Sequence, residues 1–220
     1  MGSVSNTDIF NNYANRYKDR EQEEFSLQAY LDLCQTDPSA FDNPAQSLLK
    51  AIGEPRYVDT SEDTRLSRLF SNKVIPIYPA FENQFYGLEE VIEQIVGFLT
   101  HAAQGLEERK QVLYLLGPVG GGKSSLAEKL KDLMEKVPFY AIKDSPVYES
   151  PLGLFSAEED GELLETKYNI PRHAIRNIMS PWAVKRLHEY NGDINQFKVV
   201  KLYPSRLKQI AIAKTQPGDE

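Results

Sequence analysis

The chain has 220 residues, 41% hydrophobic and 26% charged, the balance of a globular protein able to bury one sizeable core. Its formal net charge of -7 argues against a protein whose main work is coating nucleic-acid phosphates. One cysteine, Cys34, excludes an intramolecular disulfide framework and any multi-cysteine metal site, and it fits a reducing compartment, the cytoplasm. No apolar run reaches the roughly 18 residues that a membrane span needs. The start lacks the basic and apolar regions of a secretory signal. The opening MGSVSN resembles a myristoylation site, but Asn6 stands where serine or threonine is required, so no membrane anchor is expected.

In chain order, FSLQAYLDLC places Leu27, Tyr30, Leu31 and Cys34 on one helical face. From 36 to 80, Pro38, Pro44, Pro55, Pro76 and Pro79 mark short elements joined by turns, with a second helix at PAQSLLKAI. Residues 1–80 therefore read as an amino-terminal helical segment and linker. YGLEEVIEQIVGFLTHAAQG spaces Leu88, Val91, Ile92, Ile95, Leu99 and Ala103 along an amphipathic helix closing on Gly105. QVLYLL is a candidate buried strand, and SSLAEKLKDLM stripes Leu126, Leu130, Leu133 and Met134 along the next helix. Beyond Pro138, FYAIK reads as a second strand. Strand, helix, strand in this order predicts a right-handed crossover, a parallel sheet flanked by helices, and hence an α/β fold. Residues 155–195 read as mostly helical and charged, with Ser180 as N-cap and Pro181 at the first helical position of SPWAVKRLHEY. KVVKLYPS is a third strand candidate, and the final TQPGDE is polar.

Between the first strand and its helix lie Gly117, Pro118, Val119, Gly120, Gly121, Gly122, Lys123, Ser124 and Ser125. They satisfy G-x-x-x-x-G-K-S/T, the phosphate-binding loop of nucleoside triphosphatases. A loop whose successive N–H groups all point inward needs left-handed dihedrals and no Cβ in the way, which Gly120, Gly121 and Gly122 permit. The following helix adds its unpaired N–H groups and positive dipole end. Lys123 brings a full charge to the β and γ phosphates of ATP and is the candidate catalytic residue, while Ser124 offers a hydroxyl to Mg²⁺. The bland alternative is a glycine-rich turn with an accidental lysine, and the strand and helix on either side argue against it.

Upstream, NQFYGLEEVIEQI sets an aromatic and then Gly87 at the start of the preceding helix, an arrangement that resembles the AAA+ ATPases. The resemblance implies that Phe85, Tyr86 and Gly87 lie on the nucleobase side. On the residues alone, a helix entry with Phe85 and Tyr86 as core residues is the favoured reading. The run from FYGLEEVIEQI to GPVGGGKSSLAEKLK, with SPVYESPL, SPWAVKRL and TQPGDE, resembles the amino-terminal region of the PrkA-type serine protein kinases, closely at the glycine loop and loosely over the first 60 residues.

The resemblance implies a truncated chain, with an incomplete AAA+-like nucleotide-binding domain over 81–220 and a helical insertion at about 155–195. It further implies ATP and a protein substrate as partners, phosphoryl transfer to protein serine, and a homo-oligomer in the full-length protein. ATP-driven remodelling, a protease-type machine or a nucleotide-gated interaction module stay open. No Walker B acid pair follows the loop. Asp144, after FYAIK, reads as a strand-end turn residue, and PGDE follows a turn rather than a strand. The family's sensor and arginine-finger elements are expected beyond residue 220, and H-R-D, D-F-G and V-A-I-K motifs are absent. His101, His173 and His188 lack metal-ligand spacing. Lys185, Arg186 and His188 read as a solvated basic face and Trp182 as a packing anchor.

Overall fold

Ser26 begins the first helix by accepting a hydrogen bond from the Ala29 N–H, so that β1 (Glu24–Ser26) runs directly into α1 (Leu27–Thr36). The computed structural model describes residues 23–62, 64–82, 84–118, 120–175 and 178–204. TQPGDE lies outside them. α1 buries Leu27, Tyr30, Leu31 and Cys34, the face its spacing predicts. At α2 (Pro44–Ile52) the Asn43 side chain accepts from the Gln46 N–H and the Gln46 side chain from the Asn43 N–H, a reciprocal capping box with Pro44 just inside it. β2 (Arg56–Asp59) and β3 (Val74–Ile77) pair antiparallel across α3 (Thr64–Phe70). α4 (Glu89–Ala103) buries Ile92, Ile95, Leu99 and Ala102. Its apolar stripe is shifted from the expected one: Val91 faces outward, and Ala102 rather than Ala103 is buried.

α5 (Lys123–Met134) buries Leu126 and packs Leu130 and Leu133 partly against the core it shares with α2 and α4. β4 (Phe139–Ile142), α6 (Gly161–Tyr168), α7 (Pro181–Glu189) and β5 (Lys198–Leu202) complete the described elements. A three-stranded sheet runs in the order β1, β5, β4. Both of its pairings are antiparallel, with Glu24 opposite Val200 and Phe139 opposite Leu202.

This corrects the expected sheet: among the described residues no strand pairs parallel, and QVLYLL joins no ladder. The reason lies in β4. One edge is taken by β5, with the Lys143 N–H donating to Lys198 O, while on the other the Ile142 N–H already donates to Glu149 O at 3.0 Å. No open edge there receives a crossover from residues 112–116. In that run Val112, Leu113, Tyr114 and Leu116 are exposed while Leu115 packs on the core of α2, α4 and α5. A run covered at one residue is not a parallel strand buried on both sides.

Two cores result. One gathers Leu27, Tyr30 and Cys34 with Ile142, Leu164, Ile170 and Val199, joining residues near the start to residues beyond 140. The other gathers Ile52, Phe81, Phe85, Ile92, Ile95, Leu99 and Leu126, and it carries the 117–125 loop at its edge.

Glu149 ties β4 to α7. Its carboxylate accepts from the Ser145 hydroxyl (3.0 Å), the Ser180 hydroxyl (2.7 Å) and the Ser180 N–H (2.9 Å), and Ser180 Oγ in turn accepts from the Ala183 N–H at the start of α7. Ser180→Ala removes both the cap and one donor to the carboxylate. It is expected to lower unfolding free energy by about 1 to 2 kcal/mol, read as a lower urea midpoint at unchanged slope. A midpoint identical to wild type would show that the clamp contributes nothing.

Burial pushes the Cys34 thiol up to about 11, since no water reaches the site to solvate a thiolate. Labelling of the folded chain with a disulfide reagent at pH 8 should therefore be slow and rise with denaturant. Fast labelling of the native protein would contradict this burial.

Candidate functional site

The loop geometry is set by three glycines. Gly120 and Gly122 have φ of 79° and 77°, in the left-handed region that residues with a Cβ rarely enter. Gly121 donates its N–H to Pro118 O at 3.2 Å, and a Cβ there would lie 3.1 Å from that same oxygen. The loop is thus wound too tightly for side chains. Gly122 is also the N-cap of α5, where no side chain caps the helix and no acid stands in the first turn. The first-turn N–H groups and the positive end of the helix dipole consequently have no anionic partner of their own.

Lys123 folds back over this loop. Its ammonium donates to Gly117 O at 2.7 Å and Pro118 O at 2.6 Å. Ser124 and Ser125 are exposed on the first turn, and Val119 lies outside the described residues. A full positive charge, a glycine cradle and an uncapped helix start fit a phosphate chain, and the Ser124 hydroxyl is a suitable oxygen ligand for Mg²⁺.

The predicted nucleobase residues come to the same place through one contact. Gly87 turns the chain at φ 78° into Leu88, the N-cap of α4, and a Cβ on Gly122 would sit 3.0 Å from Leu88 Cδ1. The two helix starts therefore touch. Phe85 is buried edge-on against Phe81 at 5.9 Å, so its ring belongs to the core, whereas Tyr86 is 77% exposed beside it. Sequence reasoning missed Leu88 as the contact and Glu89 as a polar group in this region. Glu89 Oε2 is buried and has no hydrogen-bond partner.

The remaining residues singled out lie elsewhere. Asp144 occupies a turn after β4 with φ 64°. Arg186 pairs with Glu189 at 2.7 Å and lies 5.7 Å from the Trp182 ring centroid on the exposed side of α7. His101 faces Glu108 at 3.1 Å. Among the described residues no group of three or more His, Cys, Asp or Glu could hold a metal ion, and no helix is long and apolar enough to cross a membrane.

Comparison with known proteins agrees with a nucleotide-handling fold. The chain is 61% identical over 216 residues to "Serine/threonine kinase YeaG" of Escherichia coli (strain K12), covering 96% of this chain and 33% of that protein. It is 32% identical over 215 residues to "ATP-dependent protease PrkA" of Bacillus subtilis (strain 168), covering 93% of this chain and 32% of that one. The chain thus spans about a third of the length of the curated relatives it matches. No solved structure matches it. A family model described as the PrkA AAA domain matches residues 25–220, nearly the whole chain, and the chain belongs to that family.

Proposed function

We propose that this chain is the ATP-binding module of a PrkA-type protein of the cytoplasm, a P-loop domain that holds ATP with Mg²⁺ at residues 117–125 for phosphoryl transfer to serine on a protein substrate. The observation that carries the reading is Lys123 beside left-handed glycines at a helix start free of caps and acids. Lys123 exchanges its bonds to Gly117 O and Pro118 O for the β and γ phosphates, so the positive charge is retained on the loop until ligand arrives. The N–H groups of the glycine turn and of the first turn of α5 hold the remaining phosphate oxygens. Ser124 would hold Mg²⁺, which neutralises phosphate charge. The base lies against residues 85–87.

Positioning alone yields little rate. Transfer or hydrolysis also needs groups that orient the nucleophile and stabilise the developing charge, and no Walker B acid pair follows the loop in the sequence. Assembly of several copies in the full-length protein is one source of them. A second reading, ATP-driven remodelling or proteolysis, draws on the name of the Bacillus relative. A third, in which nucleotide occupancy governs docking without phosphoryl transfer, draws on the missing acid. Mass spectrometry of a candidate substrate after incubation with full-length protein and labelled ATP separates phosphoryl transfer (phosphoserine) from proteolysis (shortened peptides), and an unmodified substrate leaves remodelling or docking, which differ in whether phosphate is released.

Lys123→Ala should weaken Mg–ATP binding at least about tenfold, because hydrogen bonds from a charged donor are lost. Calorimetry giving equal affinities would defeat the assignment. The 220-residue chain should bind ATP yet release phosphate very slowly, and the full-length protein should hydrolyse it faster at equal subunit concentration. Equal rates, abolished in both by Lys123→Ala, would place the missing acid within these residues.

A further inference from the structure

At the end of α5 two clefts, of about 310 and 420 Å³, meet at Pro44 and Met134, which line both, and form one largely apolar groove. Phe139 and Tyr148 line the first cleft, Leu48 and Phe98 the second. All four, like Met134, are only half-buried. A contiguous apolar surface of this kind on a folded chain marks a place where something else packs. Two observations identify the cover. Pro204, the last described residue, is itself part of the first cleft's wall, so the chain leaves the described structure inside the groove. The charge of the groove is also one-signed: among the described residues its walls hold the carboxylates of Asp42 and Glu108 and no lysine or arginine.

We propose that the segment directly after Pro204, residues 205–214, docks in this groove, with Leu207 in the first cleft and Ile210 and Ile212 in the second. Its sequence is SRLKQIAIAK, in which Arg206, Lys208 and Lys214 are the only charges and no acid occurs. That is the complement of the walls. Asp42 is already paired with Lys50, and Glu108 faces His101, so attraction between exposed charges orients the segment and the removal of apolar surface from water holds it. The reach is adequate. Three residues past Pro204 span at most about 10 Å, which keeps Leu207 beside the first cleft, and Ile210 and Ile212, twice as far along the chain or more, extend past Met134. Met134 is the last residue of α5 and Lys123 the first. The docked segment therefore braces the far end of the helix whose start carries the glycine loop.

The test is the rate at which a small disulfide reagent labels a thiol introduced into the second cleft by Ala45→Cys in the 220-residue chain. Cys34, buried in the other core, serves as the control: its modification reports unfolding. With the natural segment the introduced thiol should react at least about tenfold more slowly than in the same chain carrying Ile210→Asp and Ile212→Asp, because two buried aliphatic side chains hold the cover in place. Equal rates in the two chains overturn the proposal. Protection that rises with protein concentration overturns it too, since a second copy would then be the occupant. Should the doubly substituted chain also label at Cys34, and so prove unfolded, a second measurement decides. Mild oxidation of the chain carrying Ala45→Cys and Ile210→Cys should give a disulfide within the monomer, and its absence, or disulfide-linked dimers alone, overturns the docking.

Discussion

The starts of α4 and α5 meet at Gly122, where an added Cβ would lie 3.0 Å from Leu88 Cδ1, and the placement of the proposed site follows from that approach. Beneath the contact, Ile92, Ile95 and Leu99 from α4 and Leu126 from α5 share one core with Ile52 of α2. The two helices are therefore held together by buried apolar surface, and their first turns, which neither Leu88 nor Gly122 caps with a side chain, are held side by side with them. Any residue but glycine at 122 meets two penalties at once, the left-handed φ and the leucine methyl. A rigid base of this kind lets an exposed loop keep a defined shape while remaining open to a ligand.

Helices were legible in the sequence because their period and caps are local. Leu27, Tyr30, Leu31 and Cys34 are buried as spaced, and Ser180 with Pro181 opens α7 as its chemistry requires. Strand partners were not. A run of four or five apolar residues carries no mark of its direction, and Phe139 pairs with Leu202 across intervening helices that nothing in either segment announces. QVLYLL has the composition of a doubly covered strand, and only the cover decides whether it becomes one.

At the site the same division holds. The glycines, Lys123 and Gly87 could be read directly, since each residue type is demanded by backbone geometry or charge. The direction of the Phe85 ring could not, because an aromatic before a glycine serves a core and a ligand equally well. Glu89 passed unnoticed for a different reason: an acid in the first turn of a helix is ordinary, and the burial of a single oxygen is a property of the packing around it. The two named relatives, one called a kinase and the other an ATP-dependent protease, match the same region of this chain. What the region offers, a loop wound on left-handed glycines at an uncapped helix start, suits either chemistry.

β5 is the middle strand of its sheet, and it joins the chain late. Lys201 reaches Glu23 across 178 positions, and Glu24 pairs with Val200. During synthesis at about 5 to 20 residues per second, the first strand and the apolar face of α1 emerge and then wait on the order of 10 to 35 s before their partner exists. For that interval Leu27, Tyr30, Leu31 and Cys34 are an unclaimed sticky face on a nascent chain. α2, α4 and α5 are made in the meantime and share a core of their own, so the half that carries the glycine loop has the means to form on the ribosome before the sheet closes.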